Sequence, residues 1–489
     1  MNRSDRRHPR ISAHARRTLA VAWTSARTPS LCFYCVVMAL EACGGRTPLD
    51  GAESTTSSFT PGSQDSTPSG KSCDIGQLSC SRRISSIAVG QQFTCAVVRG
   101  AVKCWGRNKH GALGLGDTVA RGFAPDALRA LVAVDLGPQQ AVQLVAATNE
   151  HTCALFDDGS IKCWGANDWG QLGLGDMTDR GSGPNEMGSN LPIVDLGTGR
   201  TARFVSAGSF HSCAVLDDAS LKCWGQNIYG ELGQYDHDHR GDQPNEMGDH
   251  LPPVVLGGAV KSVVAGENET CALLVDGELK CLGAKDKGKL GLGMTQDHGH
   301  HAEAPGDMLP ALNLGTGRTA ETVALGGDHG CAILDNGALK CWGSNAAGEL
   351  GLGDGRDRGL DLNDMGDNLP AVDLGTGRRA ILIVAGELHT CAILDDSSVK
   401  CWGDNSWGQL GEGDHLGRGL HAGEMGDHLP PVDLGTHGAT LLAATTDSTC
   451  ALLDDDSLRC WGYHIVDPGD HHPERWTVAA EDLCGANCP

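Results

Sequence analysis

Aromatic residues are scarce: 10 Trp, 4 Tyr and 7 Phe among 489 residues. Positive charge is scarce too, with 38 Lys and Arg against 61 Asp and Glu and a formal net charge of −23. What basic charge exists is concentrated at one end. Residues 1–42 carry seven Arg against Asp5 and Glu41, a net of +5, which leaves −28 for the remainder. A body this acidic has no basic surface with which to neutralise phosphates, which argues against nucleic acid as a partner. It also argues against adsorption through charge to an anionic membrane. Long apolar runs are missing: residues 31–40 are too short a stretch to span a bilayer as a helix. No Gly-x-Ser-x-Gly elbow, phosphate-binding loop or dinucleotide fingerprint occurs. Gly-x-Gly strings such as Gly114-Leu115-Gly116 belong to a recurring turn.

Glycine and cysteine, by contrast, are plentiful, at 69 and 21 residues. So much glycine favours turn-rich structure over long helices. Cysteine usage at this level is hard to maintain in a reducing cytosol and natural in a periplasm or outside the cell. The N-terminus agrees with export. Arg3, Arg6, Arg7, Arg10, Arg16 and Arg17 form a basic region, residues 31–40 an apolar one, and Leu40-Glu41-Ala42-Cys43 is similar to a bacterial lipobox. The expected organisation is a signal peptide over residues 1–42 with lipidation at Cys43. A plainly cleaved secretory peptide and an uncleaved anchor or misplaced start are the alternatives. Residues 43–72, rich in Ser, Thr, Pro and Gly, have too little apolar surface to fold and read as a flexible linker. The folded body is expected over residues 73–489.

Seven copies of one stretch organise that body, from about residue 84 to about residue 464. The second copy runs Cys153-Ala154-Leu155-Phe156-Asp157-Asp158-Gly159-Ser160-Ile161-Lys162-Cys163-Trp164-Gly165. The paired cysteines are Cys95 and Cys104, Cys153 and Cys163, Cys213 and Cys223, Cys271 and Cys281, Cys331 and Cys341, Cys391 and Cys401, and Cys450 and Cys460. Their first members are 58, 60, 58, 60, 60 and 59 residues apart. Regular spacing means stacked or radial units that cannot bury their apolar faces alone. Within a unit the pattern is β. Residues 144–147 lead into residues 151–155, residues 160–164 return after a Gly turn, and residues 191–197 make a fourth strand. The predicted fold is therefore all-β, a seven-bladed β-propeller of four-stranded blades, since radial repetition leaves few open edges.

The hairpin supplies an internal check. In the second copy the three-residue loop Asp157-Asp158-Gly159 closes on Phe156 and Ser160, and the cysteines lie three positions outside that pair. The first copy has a two-residue loop, Arg99-Gly100, and its cysteines again lie three positions outside the closing pair. Spacing changes with the loop, and the cross-strand register is kept. Three steps from a hydrogen-bonded closing pair is a non-hydrogen-bonded pair, where side chains approach most closely. A disulfide across each hairpin is the expectation, two free thiols the alternative.

His-Thr-Cys-Ala-Leu, Asp-Gly, Lys-Cys-Trp-Gly, Asn-x-x-Gly and Gln-Leu-Gly-Leu-Gly together resemble the repeat of the regulator of chromosome condensation family. The resemblance covers about four-fifths of the chain and implies a seven-bladed propeller; paired cysteines resemble exported bacterial members. Two copies depart from the pattern. Leu282 stands in the fourth where the others have Trp105, Trp164, Trp224, Trp342, Trp402 and Trp461, and Tyr463-His464-Ile465-Val466 replaces the Asn-x-x-Gly turn in the seventh. The second departure suggests that the termini complete the last blade. Cys73, Cys80, Cys484 and Cys488 flank the repeats; disulfides at the ring junction are the first reading, a zinc site the second.

Candidate chemistry is sparse. His151, His211, His329 and His389 each stand two residues before a first cysteine, where Phe93, Glu269 and Ser448 stand in the other copies. A residue repeated around a ring is a blade element, whereas a catalytic group is needed once. The Trp after the second cysteine is expected to pack between blades. The Asp-Asp-Gly turns lack the ligand spacing of a calcium loop, and the position of Trp164 does not fit a sialidase Asp box. The long loops 176–190, 236–250, 294–309, 354–368 and 414–428 occupy equivalent places and should emerge on one face. They hold Asp236, His237, Asp238, His239, His298, His300, His301, Asp354, Asp414 and His415, the candidate binding residues.

The function expected from these observations is an exported, lipid-anchored, non-enzymatic module that binds a protein or glycan. Its location would be the bacterial cell envelope, as an outer-membrane lipoprotein or in the periplasm, or outside the cell. No cofactor and no metal are expected, nucleic acid is excluded, membrane contact is through the N-terminal lipid alone, and the protein is a monomer. The resemblance adds two implications: inhibition of an extracellular enzyme such as a β-lactamase, and guanine-nucleotide exchange on a small GTPase. Even repeat spacing leaves no room for the extra β-wedge that exchange requires in the nuclear factor. An envelope hydrolase using the His/Asp loops is a third possibility.

Overall fold

The computed structural model describes residues 84–122, 125–138, 141–293 and 309–463 and the strand Trp476–Val478. The signal, the lipidation site Cys43, the linker and the flanking Cys73, Cys80, Cys484 and Cys488 lie outside the described residues. Among the described residues there are seven antiparallel sheets and one short α-helix, Pro125–Arg129. No helix among them is long and apolar enough to cross a membrane.

Each sheet is an inner, a middle and an outer strand joined as consecutive hairpins. In the second blade these are Val142–Thr148, His151–Phe156 and Ile161–Gly165. Inner strands of successive blades touch, and that of the first blade, Ile84–Val89, touches that of the seventh, Ala439–Ala444, so the ring closes. Seven apolar clusters form the core, and every one is shared by two neighbouring blades. Cys95 and Cys104 of the first blade pack with Trp164 of the second; Cys450 and Cys460 of the seventh pack with Trp105 of the first. Where Leu282 replaces the tryptophan, it packs with Cys213 and Cys223. A blade removed from the ring would expose both of its apolar faces, which is why the unit must repeat.

The middle strand is buried along its whole length in six blades. The outer strand is buried along its whole length in the second to sixth blades and over most of it in the first and seventh. This explains the near-continuous apolar run in each copy. Outer strands end at a glycine with φ between +105° and +113° in all seven blades. A Cβ at Gly165 would lie 2.4 Å from the Glu150 carbonyl, so the chain turns there only because the residue is glycine.

Hairpin register matches the spacing argument. Cys95 faces Cys104 and Cys153 faces Cys163, with Cα atoms 4.1 Å apart in each pair. Cys213 is bonded to Cys223, Cys271 to Cys281, Cys331 to Cys341 and Cys391 to Cys401, again with Cα atoms 4.1 Å apart. In the seventh blade Cys450 is bonded to Cys460 at 4.0 Å. All fourteen cysteines are thus paired across their own hairpins, and their side chains are buried. The alternative of two free thiols per blade is not what the structure has. Arg99 and Gly100 have φ of +52° and +79°, the conformation a two-residue hairpin loop requires. Replacing Cys153 and Cys163 together by serine is expected to cost roughly 2–3 kcal/mol in urea unfolding, because the closed loop is short.

The fourth strand differs from expectation. Among the described residues six sheets have three strands and the seventh has four, the last being Trp476–Val478, which pairs with Leu458–Gly462. Residues 191–197 run alongside the outer strand without joining it as a ladder. Leu191, Val194 and Leu196 are buried, but one backbone bond ties the segment to the outer strand, from Val194 N to Ile161 O at 2.9 Å, while the Asp195 carbonyl accepts from Gly248 N at 3.0 Å. Pro192 has no donor to offer, and the Leu196 carbonyl accepts from Lys222 Nζ of the next blade at 3.0 Å. The strand Trp476–Val478 supplies to the seventh blade the extra edge that its atypical last turn suggested.

Candidate interaction face

The loops between inner and middle strands open on the same face as the turns that follow the outer strands, because His151 pairs with Gly165 and its counterparts do likewise. The four recurring histidines stand at the head of the middle strands on this face. All four are fully buried. Each Nε2 bonds to a hydroxyl of the next blade: His151 to Ser212 at 3.0 Å, and His211 to Thr270, His329 to Thr390 and His389 to Thr449 at 2.8 Å. Ser212 in turn donates to the Gln171 carbonyl at 3.0 Å, and Trp224 Nε1 donates to the same oxygen at 3.0 Å. Thr390 and Trp402 converge in the same way on Glu349 O, and Thr449 and Trp461 on Gln409 O. Since the hydroxyl proton is spent on the carbonyl, the imidazole must be the donor, and its proton is on Nε2. Nδ1 has no partner in any of the four. Burial holds His151 and His389 down to about 4, and burial with a neighbouring histidine holds His211 and His329 down to about 3. These rings are neutral inter-blade struts with no access to a substrate.

Several side chains of the long loops are bonded within their own loops. Asp236 accepts from Asn227 Nδ2, from the Asp238 amide and from Arg240 Nη2, the last at 2.6 Å. Asp354 does the same with Asn345, Arg356 and Arg358, and Asp414 with Asn405, Leu416 and Arg418. His239 Nδ1 accepts from the Asn227 amide at 3.0 Å, and its ring meets Trp169 edge-on at 4.9 Å. His237 and His415 are exposed, with Nδ1 beside the Ile228 and Ser406 carbonyls at 2.7 and 3.1 Å. Asp238 is exposed, and its backbone closes the loop. His298, His300 and His301 lie outside the described residues. Loops also interlock with neighbours: Gly116 N donates to Gly181 O and Gly175 N to Gly241 O. The candidate carboxylates Asp236, Asp354 and Asp414 thus each bond within their own loop to an Asn upstream and to an Arg four residues on.

Two further titratable clusters each hold a histidine. On the opposite face, His437, Asp454 and Asp455 bring ligand atoms within 4.8 Å of one another. Arg200 takes the same place against Asp217 and Asp218, and Arg378 against Asp395 and Asp396. An imidazole therefore stands where other copies put a guanidinium, with its Nδ1 2.9 Å from Asp454 and its Nε2 3.5 Å from Asp455. On the loop-bearing face, His110 lies between Asp179 at 2.7 Å and Glu150 at 3.1 Å, with Lys109 also on Glu150 at 3.3 Å. No hydroxyl or thiol nucleophile among the described residues is bonded to this histidine, so it joins the first two blades.

The remaining distinctive groups on this face stand at positions that vary from blade to blade: Trp407, which has aromatic counterparts in Trp169 and Tyr229 only, and Tyr463, Leu388, Glu387 and Asp447. Reading the repeat for what recurs passes over them. The usable signal lay in the departures, such as Ser406-Trp407 where the first copy has Lys109-His110 and the fifth Ala346-Ala347.

A family model described as the RCC1-like domain matches residues 42–361, and one described as the regulator of chromosome condensation (RCC1) repeat matches residues 380–409. The ultraviolet-B receptor UVR8 of Arabidopsis thaliana is 30% identical over 333 residues, which is 67% of this chain and 66% of that protein. The human E3 ubiquitin-protein ligase HERC2 is 28% identical over 337 residues, 68% of this chain and 6% of the ligase. The chain thus spans just under two-thirds of the first relative and a small part of the second. Among solved structures, human WBSCR16 matches with a TM-score of 0.58 at 20% identity, covering 76% of this chain and 86% of that one. Prp20p of Saccharomyces cerevisiae matches with 0.56 at 20%, covering 74% and 80%. At that identity the likeness is one of fold.

Proposed function

The chain belongs to the regulator of chromosome condensation family, and from that membership we propose that it is an exported, lipid-anchored, non-enzymatic propeller that binds a protein at the cell envelope. One observation carries the binding reading. The recurring His and Thr are spent on holding blades together and the recurring Asp and Arg on stapling their own loops, while residues that vary between blades gather on one rigid face. Such a division suits recognition. Prp20p, which is described with binding to Gsp1p and histones, supports a protein partner in preference to a glycan. Export rests on the basic and apolar N-terminal segments, on the lipobox-like Cys43 and on seven buried disulfides. Residues 191–197 and their counterparts act in this reading as the blades' degenerate fourth strands.

Guanine-nucleotide exchange is the second reading, favoured by the likeness to Prp20p. The two separate cleanly. Protease added to intact cells is expected to digest an envelope-exposed body; a body that stays protected in the cytosol, with reduced cysteines, overturns the first reading. Capture from envelope extract on the immobilised full chain is expected to retain a protein partner, and retention of glycan alone would replace the partner class.

A further inference from the structure

One corner of the loop-bearing face combines groups found together in no other blade. The turn after the sixth outer strand carries Trp407, 40% exposed, whereas the tryptophans of the Cys-Trp-Gly motif are at most 2% exposed. Its ring meets Tyr463 of the seventh blade edge-on, with centroids 4.8 Å apart and planes at 71°. Leu388, 38% exposed, lies on the adjoining loop, and its carbonyl accepts from Asp404 N at 2.8 Å. Three carboxylates surround these apolar groups. Asp404 is fixed by Ser406 Oγ at 2.6 Å and Gln409 Nε2 at 2.8 Å. Asp447 is placed by its backbone oxygen, which accepts from Tyr463 N at 2.7 Å, and Glu387 by its amide, which donates to Thr445 O at 3.3 Å. Neither the Glu387 nor the Asp447 carboxylate forms an ion pair among the described residues. Burial, reinforced by the charges on Glu387 and Asp404, pushes Asp447 up to about 6.

Uncompensated negative charge beside an exposed indole fits a cation carried on an alkyl stem. The stem covers Leu388, the cation lies on the aromatic pair, and the carboxylates accept its hydrogen bonds. A strongly acidic body would also steer a basic partner to this face. We propose that Glu387, Leu388, Asp404, Trp407, Asp447 and Tyr463 form the docking point for an arginine or lysine side chain on a basic segment of the partner protein. This rests on the reading of the chain as a protein-binding module and names the chemistry of its partner.

The test uses the full chain and a fluorescein-labelled peptide of alternating arginine and glycine, followed by anisotropy at physiological salt. Trp407→Ala is expected to weaken binding about 5–10-fold, with partial recovery in Trp407→Phe. Glu387→Gln combined with Asp447→Asn is expected to weaken it about 10-fold or more. Asp157→Asn with Glu278→Gln removes the same charge from exposed positions elsewhere and should leave affinity within about 2-fold. Thermal unfolding checks that each variant is folded. Absence of peptide binding overturns the proposal. So does binding that ignores Trp407 or that falls equally with the control pair, since that is bulk electrostatics. None of these results touches the envelope-capture experiment, which tests the broader reading separately.

Discussion

Between about pH 8 and about pH 5 the folded chain should lose on the order of 2 kcal/mol for each of its four strut histidines, about 8 kcal/mol in all. His151, His211, His329 and His389 are fully buried and held down to about 4, 3, 3 and 4. In the unfolded chain they would titrate near the ordinary value of about 6.5. Above that value neither state binds the protons, and the stabilisation is fully present. As the pH falls, the unfolded chain takes up protons that the native rings refuse, and stability declines until the folded values are reached. The native ring cannot accept the proton cheaply, because Nδ1 is buried without an acceptor to receive the new N–H. Urea unfolding followed by tryptophan fluorescence at several pH values should show an uptake of about four protons near pH 5. His211→Gln keeps an N–H for Thr270 and cannot titrate, so it should lower that uptake by about one. A stability that is flat over this range would mean that the rings are not neutral struts.

The same histidines show how far sequence reasoning reaches. Their recurrence marked them as blade elements, and the change of cysteine spacing with loop length, from Cys95 and Cys104 to Cys153 and Cys163, located the cross-strand register. Both conclusions depend on local geometry that repeats. Fourth strands were not legible, because the apolar pattern of Leu191, Val194 and Leu196 records burial, whereas a ladder also needs free carbonyls and donors. Pro192 and Lys222 remove them. The bonding of the loop carboxylates was legible only in part. Asp236 and Asp354 look like ligands when read alone, yet the Arg four residues on pairs with each. That spacing was visible in the sequence. Contact between Trp407 and Tyr463 was not, since it joins two blades at the place where the repeat fails.

Blade four breaks the strut pattern in a coordinated way, and the second large effect is expected there. Glu269 occupies the histidine position, and Gly330 of the next blade offers no hydroxyl. Lys289 reaches in from the turn, its Nζ 2.8 Å from Glu269 Oε2, with side-chain exposures of 3% and 0%. Leu325 faces Gly330 where the other inner strands place Ala or Val, and so fills the space of the missing side chain. Burial pushes the Glu269 carboxyl up, and Lys289 draws it back. Burial also works against the Lys289 charge, yet Glu269 by charge and hydrogen bond raises its pKa. We read the pair as ionised, because each group is the other's nearest opposite charge in a dry site. Removing Lys289 leaves Glu269 buried and unpaired, and removing Glu269 leaves Lys289 with the longer contact to Asp328, at 3.5 Å, and the Gly327 carbonyl. Glu269→Gln or Lys289→Gln alone should therefore cost about 3–5 kcal/mol in urea unfolding, more than a hairpin disulfide. Glu269→His with Lys289→Gln should recover only part of this, since the introduced imidazole would find no hydroxyl. Adding Leu325→Ala and Gly330→Thr rebuilds the arrangement of His329 with Thr390 and should bring stability within about 1 kcal/mol of the parent, with strong coupling among the four positions. A cost below about 1 kcal/mol for Glu269→Gln would show that the charges are relieved by water. A quadruple variant no better than the double would show that the junction depends on something other than these four side chains.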